Sequence, residues 1–326
     1  MKKPLKIILI AIAAAALVVC ALWAVSRVVF HRSLMASAAE LFLRCGGVVK
    51  NRTVEETEAY LEERRKNGDE PFSLPAYGYE SEVSRLDGYG CEVVVFSGSD
   101  EPKRTVIYMH GGAYVSEITV FHTAYCDRLA RAANARVIVP IYPLAPNHTY
   151  KETYDIVTRI YLDEKEKALP ITLMGDSAGG GFAAAFAEYL ASSGLPLPSS
   201  LVLFSPWVDV SMSGDRYDEL AAVDPMVERD RVIPAGRAWA GDTDTRDPMI
   251  SPLFGDMTGL PPTLVYVGTR EILLCDVEAF YDKLIEAGVT AKLVVGEGMN
   301  HVYPVFPIPE AEAALEETAE FIRSAK

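Results

Sequence analysis

Leu173-Met174-Gly175-Asp176-Ser177-Ala178-Gly179-Gly180-Gly181 is the stretch that decides the fold of this chain. A short apolar run ends here, the pattern Gly-x-Ser-x-Gly follows, and an alanine-rich segment begins. Between a strand and a helix, this pattern is typical of a sharp turn that holds one serine clear of the backbone. Small residues are needed around that serine, because bulkier side chains would clash with the neighbouring strand and helix. The stretch therefore predicts a strand, a turn that presents Ser177, and a helix.

The composition favours one large folded domain and argues against nucleic acid as a partner. The chain has 326 residues, 50% of them apolar, which is enough for a single α/β core. Its 45 acidic and 31 basic residues give a formal net charge of −14. Nucleic-acid binding needs clustered Lys and Arg side chains against the phosphates, so we expect none. We interpret the acid excess as a solvated surface.

The cysteines suggest neither a disulfide framework nor a zinc site. Their number is odd, their spacing is irregular, and no Cys-x-x-Cys or His-Glu-x-x-His pattern occurs. We expect free thiols, with one isolated disulfide left open, and neither a metal nor a cofactor. The five are Cys20, Cys45, Cys91, Cys126 and Cys275.

Residues 1–32 predict a membrane anchor or a signal segment. The run from Ile7 to Val25 is apolar without a break, and a bilayer-spanning helix needs roughly 20 such residues. A cleaved signal peptide is the alternative, but its apolar region is usually about 7–15 residues long. Lys2, Lys3 and Lys6 favour a cytoplasmic N-terminus. We therefore expect an uncleaved anchor, with the folded domain outside the cytoplasm.

Residues 33–326 predict one domain built on a mostly parallel sheet. Residues 33–70 contain two helical patterns, and a capping box from Thr53 to Glu56 opens the second. Residues 71–90 read as a turn-rich connector. Beyond them, apolar runs alternate with helical patterns, which is typical of a parallel sheet covered by helices on both faces. The predicted strands are 91–96, 104–109, 136–141, 171–174, 201–204, 263–267 and 291–295.

The stretch 209–247 interrupts this alternation. It lies between two predicted strands, is polar, and carries Pro225 and Pro234. A loop of that length inside a compact domain is usually functional. We expect it to form a cap together with residues 33–70 and to shape the substrate pocket.

Ser177 is the candidate nucleophile, and a base and an orienting acid follow it along the chain. His301 comes after the last predicted strand, where it could reach back to Ser177, and no other histidine follows the serine. Glu271 lies in the loop after the preceding strand and is the preferred acid. Asp276 is the second choice, because it lies where a helix begins and could simply cap that helix. Asp176 is expected to anchor the local backbone.

The segment His110-Gly111-Gly112-Ala113 predicts an oxyanion hole, which is a set of backbone N–H groups that stabilises a negatively charged oxygen. It follows an early predicted strand, which is the position of such a loop in chains with this serine turn. Gly111 and Gly112 would let the main chain turn its amides inward. Ala178, beside the nucleophile, would supply a third amide.

These motifs resemble those of the hormone-sensitive-lipase-like group of α/β-hydrolases, which includes bacterial esterases. The resemblance runs from about residue 104 to the C-terminus. It implies an α/β-hydrolase fold with an eight-stranded sheet and a helical cap, the oxyanion donors named above, and hydrolysis of carboxylic esters, often with short acyl chains. The matching segments are His110–Ala113, Tyr142–Pro146, Gly175–Gly180, Ser205–Asp209, Asp247–Leu253, the segment around Glu271, and His301.

Two residues depart from the pattern of that group. Ala113 stands where the last glycine of the oxyanion motif is usual, and its methyl group could tighten the acyl or alcohol pocket. Glu271 stands where the group usually has Asp. Ala113 and Tyr114 are the candidate substrate contacts, although an aromatic residue at position 114 is equally plausible as packing.

We interpret the chain as a serine carboxylester hydrolase that acts on short-to-medium acyl esters through an acyl-enzyme. A deacetylase or lactonase that uses the same triad is the alternative. A non-catalytic ligand-binding protein on the same fold is a more distant alternative, since such proteins typically lose the base. The expected partner is a small-molecule ester, and the oligomeric state is left open.

Overall fold

A computed structural model describes residues 3–45, 52–69, 71–75 and 78–326. The strands of its central sheet are β1 (Glu82–Leu86), β2 (Val93–Ser97), β3 (Arg104–Met109), β4 (Ala135–Pro140), β5 (Ile171–Asp176), β6 (Ser200–Phe204), β7 (Thr263–Arg270) and β8 (Ala291–Asn300). The helices are α1 (Lys3–Val28), α2 (Leu34–Cys45), α3 (Val54–Asn67), α4 (Val120–Ala133), α5 (Tyr150–Lys165), α6 (Ser177–Ser192), α7 (Tyr217–Ala221), α8 (Arg229–Ala240), α9 (Leu274–Glu286) and α10 (Pro309–Ser324).

The eight strands form one sheet in the order β1-β2-β4-β3-β5-β6-β7-β8. Strand β2 pairs antiparallel with both β1 and β4, and the remaining neighbours pair in parallel. Parallel neighbours need crossover connections, which here are mostly helices. The carboxyl ends of β3, β5, β7 and β8 therefore meet at one edge of the sheet. The predicted fold class, a mostly parallel eight-stranded sheet flanked by helices, is confirmed.

Alternation along the buried strands gives the sheet two apolar faces. Leu173 of β5 belongs to a buried cluster that includes Phe186 of α6. Its neighbour Met174 belongs to a second cluster that includes Tyr125 of α4. Successive side chains of a strand point to opposite faces, so each face needs its own layer of helices. This arrangement places the strand ends, and the loops that follow them, on a rigid support.

Two regions differ from the sequence prediction. The connector predicted over residues 71–90 contains β1, whose five residues pair with Val93–Ser97 of β2. Strand β1 carries polar and exposed side chains, so it lacks the apolar run that revealed the other strands. The stretch 209–247, in which the residue pattern alone predicted no helix, contains the helices α7 and α8.

The predicted membrane anchor over residues 1–32 is wrong. A spanning helix has to combine a length of about 20 residues with continuous apolar character. Within the ranges that the structure describes, no helix is both long and apolar enough to cross a membrane. The extracytoplasmic location inferred from that anchor is withdrawn with it.

A buried ion-pair network joins the residues after α1 to the sheet. Arg32 forms an ion pair with Glu40 of α2 and donates to the backbone oxygen of Gly298 at 2.8 Å. Glu40 also pairs with Arg270 at the end of β7, at 2.8 Å, and with Arg44 at 2.7 Å. Burial raises the pKa of Glu40, but the hydrogen bonds from the three arginines outweigh burial and lower it to about 2.

The five cysteines are free, but of the five only Cys126 is buried. Partial burial raises the pKa of Cys91 to about 11, so this thiol stays protonated and unreactive at neutral pH. Among the residues with described positions, no group of three or more His, Cys, Asp or Glu side chains could hold a metal ion.

Candidate active site

Ser177 stands at the sharp turn between β5 and α6. Its backbone φ is 52°, in the left-handed region that residues other than glycine rarely adopt. Two close backbone approaches explain the flanking glycines. A Cβ on Gly179 would lie 2.1 Å from the backbone oxygen of Met109, and a Cβ on Gly175 would lie 2.4 Å from that of Gly179. The Gly-x-Ser-x-Gly pattern is thus required by contact between the turn and the end of β3.

A chain of hydrogen bonds joins Ser177, His301 and Glu271. His301 follows β8, and its Nε2 lies 2.9 Å from the Oγ of Ser177. Its Nδ1 lies 2.6 Å from the Oε2 of Glu271, which follows β7. His301 is 3% exposed and Glu271 is completely buried. Because Nδ1 faces a carboxylate, Nε2 is left free to accept the proton of the serine hydroxyl.

Ser205, which follows β6, links the loop that carries Glu271 to the loop that carries His301. Its hydroxyl donates to the Oε1 of Glu271 at 2.8 Å and accepts the backbone N–H of Val302 at 2.9 Å. The backbone N–H of Gly268 also donates to the same carboxylate oxygen. The sequence pointed to Ser205 only as the start of a matching segment, because its partners come from distant parts of the chain.

Asp276, the second-choice acid, lies elsewhere. Its carboxylate accepts hydrogen bonds from the hydroxyl of Tyr217 and from the Sγ of Cys275 at 3.6 Å. Burial raises its pKa to about 7. In the described part of the chain, the structure joins His301 to Glu271 and not to Asp276.

The pKa of His301 lies above its ordinary value of 6.5. Burial alone would lower it, because the charged ring is poorly solvated. The negative charge of Glu271 and its hydrogen bond to the ring outweigh burial, and Asp224 and Asp176 add to the same effect. The site therefore favours a positively charged ring, which is the state that follows proton transfer from the serine.

Asp224 is a buried carboxylate near His301 that the sequence did not reveal. It accepts backbone N–H groups from Met226 at 2.6 Å, Val227 at 2.9 Å and Ile272 at 2.8 Å. Burial raises its pKa to about 6. Asp224 thereby ties the segment between α7 and α8 to the residue that follows Glu271.

The predicted oxyanion amides divide into two groups. The N–H of Gly111 donates to the Oδ1 of Asp176 at 3.0 Å, and Gly111 does not line the cavity that contains Ser177. Gly112 and Ala113 do line it. Ala178 lies in the first turn of α6, where backbone N–H groups have no acceptor within the helix. Gly112 therefore lies at the cavity and Ala178 directly follows Ser177, whereas the amide of Gly111 is taken up by Asp176.

Asp176 anchors the backbone beside the nucleophile, as predicted. Its carboxylate accepts the hydroxyl of Tyr108 at 2.6 Å, in addition to the amide of Gly111. His122 contributes a third contact, from Nε2 at 3.1 Å. The Nδ1 of His122 lies 3.0 Å from the backbone N–H of Thr119, so Nδ1 accepts and Nε2 carries the proton. Burial raises the pKa of Asp176, but its contact with His122 and the hydrogen bonds from Tyr108 and Gly111 lower it below its usual value.

Ser177 and His301 open into a cavity of about 340 Å³. This volume lies within the range of small-molecule sites. The lining is mainly apolar, and it draws on α2, the segment around α8, and the loop after β8. Its apolar members include Leu43, Phe121, Trp207, Met226, Val227, Val232, Leu273, Val302, Val305 and Phe306.

The two predicted substrate contacts behave differently. Ala113 lines the cavity beside Ser177. Tyr114 is 1% exposed and does not line it. Its ring stacks on Trp239 with 4.2 Å between centroids, and its hydroxyl donates to the backbone oxygen of Ala178 at 2.7 Å. Tyr114 is therefore a packing residue that supports the first turn of α6.

Comparison with known proteins extends the likeness beyond the motifs. A family model described as alpha/beta hydrolase fold matches residues 106–305. An esterase of Acinetobacter venetianus is 34% identical over 232 residues, which cover 67% of this chain and 74% of that protein. An acetyl-hydrolase of Streptomyces hygroscopicus is 32% identical over 229 residues, which cover 68% of this chain and 76% of that protein.

A solved esterase structure is also similar to this chain. The crystal structure of an esterase from the bacterial hormone-sensitive lipase family aligns with a TM-score of 0.77 at 30% identity. The alignment covers 90% of this chain and 99% of that one. The prediction of an ester-hydrolysing enzyme is confirmed, and the alternative of a non-catalytic binding protein is not supported. The chain therefore belongs to the hormone-sensitive-lipase-like group of α/β-hydrolases, and it is a serine ester hydrolase.

Proposed function

We propose that Ser177, His301 and Glu271 act as nucleophile, general base and orienting acid in the hydrolysis of short-to-medium acyl esters. One observation carries this proposal: a continuous hydrogen-bond chain runs from the Oγ of Ser177 through His301 to Glu271. The chain begins at the wall of an apolar cavity and ends at a completely buried carboxylate. This is the geometry that activates a serine hydroxyl.

The reaction proceeds in two halves. The Oγ of Ser177 attacks the ester carbonyl while the Nε2 of His301 takes its proton. The tetrahedral intermediate then expels the alcohol, which receives that proton from His301, and an acyl-enzyme remains. Water, deprotonated by the same nitrogen, attacks the acyl group, and the second tetrahedral intermediate releases the acid and restores Ser177. Glu271 stays ionised throughout and stabilises the charged ring of His301.

For the oxyanion hole we propose the amides of Gly112, Ala113 and Ala178. The position of Gly112 and Ala113 at the cavity supports this choice, and so does the first-turn position of Ala178. The amide of Gly111 is already hydrogen-bonded to Asp176. An amide that serves a carboxylate cannot also stabilise the oxyanion, so Ala113 replaces Gly111 in the proposed set. One oxyanion donor is worth about 2.7–4 kcal/mol in the transition state.

We further propose that residues 33–70 and about 209–247 form the cap of a domain spanning 33–326. The lining of the cavity supports this proposal, because Leu43 comes from the first segment and Met226, Val227 and Val232 come from the second. An apolar pocket of about 340 Å³ suits a short-to-medium acyl chain better than a long one.

Removal of an acetyl group is a second candidate, favoured by the likeness to the acetyl-hydrolase of Streptomyces hygroscopicus. It uses the same triad and the same intermediate, with acetate as the acid released. Hydrolysis rates for acetyl, butyryl and hexanoyl esters of one alcohol decide between the two. A marked preference for acetate favours the deacetylase, and a preference for longer acyl chains favours the general esterase.

Replacement of the nucleophile tests the proposed site. Ser177→Ala should abolish hydrolysis of 4-nitrophenyl butyrate, leaving at most the roughly 10³–10⁴-fold residual catalysis over water that binding and an oxyanion hole supply. A fluorophosphonate probe should label the wild-type chain at Ser177 and leave the variant unlabelled. Ser192→Ala, at the far end of α6, is the matched control and should keep both activity and labelling. Wild-type turnover in Ser177→Ala would refute the assignment.

A further inference from the structure

A second cavity, of about 180 Å³, adjoins the one that contains Ser177. The two share Ala113, Ser116 and Arg231 in their linings. The second cavity lies between α3 and α8, and none of its described lining residues is acidic. Its lining residues are Arg52, Thr57, Tyr60, Leu61, Ala113, Val115, Ser116, Arg231 and Ala235.

The two arginines of this cavity lack ionic partners. In the described ranges, neither the guanidinium of Arg52 nor that of Arg231 has an ion pair or a hydrogen-bond acceptor, although Arg52 stacks over the ring of Tyr60 at 4.1 Å. By contrast, the buried Arg32 is paired with Glu40. Two unpaired guanidinium groups beside one cavity are unexpected in a chain whose net charge is −14.

Glu228 is the carboxylate that could have paired with Arg231, since its charge acts on that arginine. It lines the first cavity and not the second. Its Oε2 is buried and has no hydrogen-bond partner among the described residues. Burial lowers the pKa of Arg231, the charge of Glu228 opposes this effect, and the charge of Arg52 lowers the pKa further, so the two arginines repel each other. A bound anion would relieve this repulsion.

We propose that the second cavity is an anion subsite, which binds a carboxylate or a phosphate carried by the non-reacting part of the ester substrate. This inference rests on the proposed function of the neighbouring triad. Guanidinium groups form charge-assisted, often bidentate hydrogen bonds with both kinds of anion. The hydroxyl groups of Tyr60 and Ser116 are further donors in the same lining.

The subsite also bears on how a substrate is oriented. Ala113 belongs to both linings, so a molecule bound across it reaches Ser177 at one end and the arginines at the other. The apolar part of the first cavity then receives the uncharged portion of the ester. An anionic substrate is held in one direction, and a neutral ester relies on the apolar cavity alone.

Matched pairs of esters test the subsite with the full-length chain. One pair is the mono-4-nitrophenyl ester of adipic acid and its methyl ester, which differ only in the charge on the acyl side. A second set places the charge on the alcohol side: 4-acetoxybenzoate, 4-acetoxyphenyl phosphate and methyl 4-acetoxybenzoate. We expect kcat/KM for an anionic ester to exceed that of its neutral counterpart by about tenfold or more at low salt, as for a charge-assisted contact.

Two variants locate the effect. Arg52→Gln, which changes a residue of the second cavity alone of the two, should bring the ratio of anionic to neutral kcat/KM close to one while leaving the neutral esters unchanged within about twofold. Arg231→Gln, which changes a residue of both linings, should lower kcat/KM for the anionic esters by a larger factor than for the neutral ones. Arg237→Gln is the control, because Arg237 is an exposed residue of the same helix at 3.9 Å from Glu58. The preference of the wild-type chain for carboxylate or for phosphate names the anion.

The subsite is refuted if the wild-type chain hydrolyses the anionic and neutral esters equally well in both sets. It is also refuted if both arginine variants reduce the two kinds of ester by the same factor, since that result gives the arginines a purely structural role. Hydrolysis of the neutral esters and fluorophosphonate labelling of Ser177 persist in either case. Loss of the subsite is therefore distinguishable from failure of the proposed catalytic function.

Discussion

Glu271 and Asp276 are both buried carboxylates near the start of α9, yet their partners differ completely. Glu271 accepts hydrogen bonds from His301, Ser205 and the backbone of Gly268. Asp276 accepts hydrogen bonds from Tyr217 and Cys275. The partner of a carboxylate, rather than its distance along the chain from the histidine, decides which one orients the base.

Two isosteric variants compare these carboxylates. Glu271→Gln should lower kcat for 4-nitrophenyl butyrate by about 10³–10⁴-fold, because the ring of His301 loses the charge that stabilises its protonated form. Asp276→Asn should change kcat by no more than about threefold, since it removes no group that contacts His301. Stopped-flow or steady-state kinetics on both variants measure the difference. Equal losses in the two variants would contradict the assignment of Glu271.

The pH dependence of hydrolysis should report the raised pKa of His301. The ring must be neutral to accept the serine proton, so activity is lost as the pH falls and the ring becomes charged. Because Glu271 favours the charged ring, kcat/KM should rise along a limb whose midpoint lies above the ordinary histidine value of about 6.5. In Glu271→Gln the residual activity should show this limb at lower pH. A wild-type midpoint below the ordinary value would argue against this electrostatic pairing.

At the residue scale, sequence patterns predicted the groups that have a fixed place in the motif order. Ser177 and His301 follow predicted strands, and the parallel sheet brings those strand ends together. The direction of the Gly111 amide could not be predicted, because it depends on a hydrogen bond to Asp176, which ends the neighbouring strand β5. Asp224 was not predicted either, since no motif marks a carboxylate whose partners are scattered backbone amides.

Helix α6 carries an unusual buried acid in its C-terminal half. Glu188 is 6% exposed, and neither of its carboxylate oxygens has a hydrogen-bond partner among the described residues. Burial raises its pKa to about 9, although the charge of Lys283 opposes the effect. The side chain is therefore protonated at neutral pH, and its ionisation opposes folding.

The stability of the protein should consequently respond to Glu188. The folded state keeps this proton up to about pH 9, whereas the unfolded chain releases it near pH 4.5. The contribution of Glu188 is therefore fully present below the unfolded pKa and is lost as the pH rises towards the folded one, by at most about 1.4 kcal/mol per pH unit. Glu188→Gln should remove this dependence, so that the free energy of unfolding falls less with rising pH than in the wild type.

Urea unfolding at a series of pH values measures the effect. The quantity to compare is the difference in the free energy of unfolding between variant and wild type, which should grow in favour of the variant as the pH rises. Glu286→Gln, at the exposed end of α9, is the control and should leave the pH dependence unchanged. A difference that does not vary with pH would contradict a protonated Glu188.

At the element scale, apolar runs predicted every strand except β1. Buried strands of a parallel sheet must be apolar on both faces, so their pattern survives in the sequence. Strand β1 is an edge strand with polar, exposed side chains, and only its pairing with β2 reveals it. The helices α7 and α8 were hidden by the polar character of their stretch and by Pro234, which lies within α8.

Across the whole molecule, the network around Glu40 connects α2 with the end of β7 and with Gly298 in the last part of β8. Glu40 is 4% exposed, and its carboxylate serves Arg32, Arg44 and Arg270. Its removal would leave the buried guanidinium group of Arg32 without a counter-charge. The network should therefore contribute to global stability as well as to local order.

Glu40→Gln should lower the free energy of unfolding at neutral pH by about 3–5 kcal/mol, as expected when one partner of a buried ion pair is removed. Because the pKa of Glu40 is lowered to about 2, its stabilising contribution is present above the unfolded pKa of about 4.5 and is lost as the pH falls towards the folded value. Acidification should accordingly destabilise the variant less than the wild type.

Glu62→Gln is the matched control. Glu62 also pairs with two cations, Arg65 at 2.8 Å and Lys66 at 3.7 Å, but on the exposed surface of α3. Such surface pairs contribute about 0–1 kcal/mol. Thermal or urea unfolding of the two variants compares them directly. Similar losses in the free energy of unfolding would show that burial does not increase the contribution of the Glu40 network to stability.

The overall fold could be predicted because each motif directly follows a predicted strand, and the motifs occur along the chain in the order that the family resemblance implies. The alternation of strands and helices predicted the parallel sheet, and the likeness to a hormone-sensitive-lipase-family structure over 90% of the chain confirms it. Residues 1–32 were interpreted from hydropathy alone, which says nothing about tertiary contacts. The ion pair between Arg32 and Glu40, made by a residue assigned to the anchor, could not be read from that pattern.

The contact between Arg32 and Gly298 has a practical meaning for anyone who shortens this chain. Gly298 lies in β8, three residues before His301, and a Cβ on it would lie 1.9 Å from the backbone oxygen of Phe30. A protein trimmed to begin at residue 33, where motif analysis alone would cut, keeps every proposed catalytic group. It loses Phe30 and Arg32, which contact Gly298 in the strand that leads to His301. We therefore expect full activity from fragments that keep Phe30 and Arg32, and a loss of activity in the fragment that begins at residue 33.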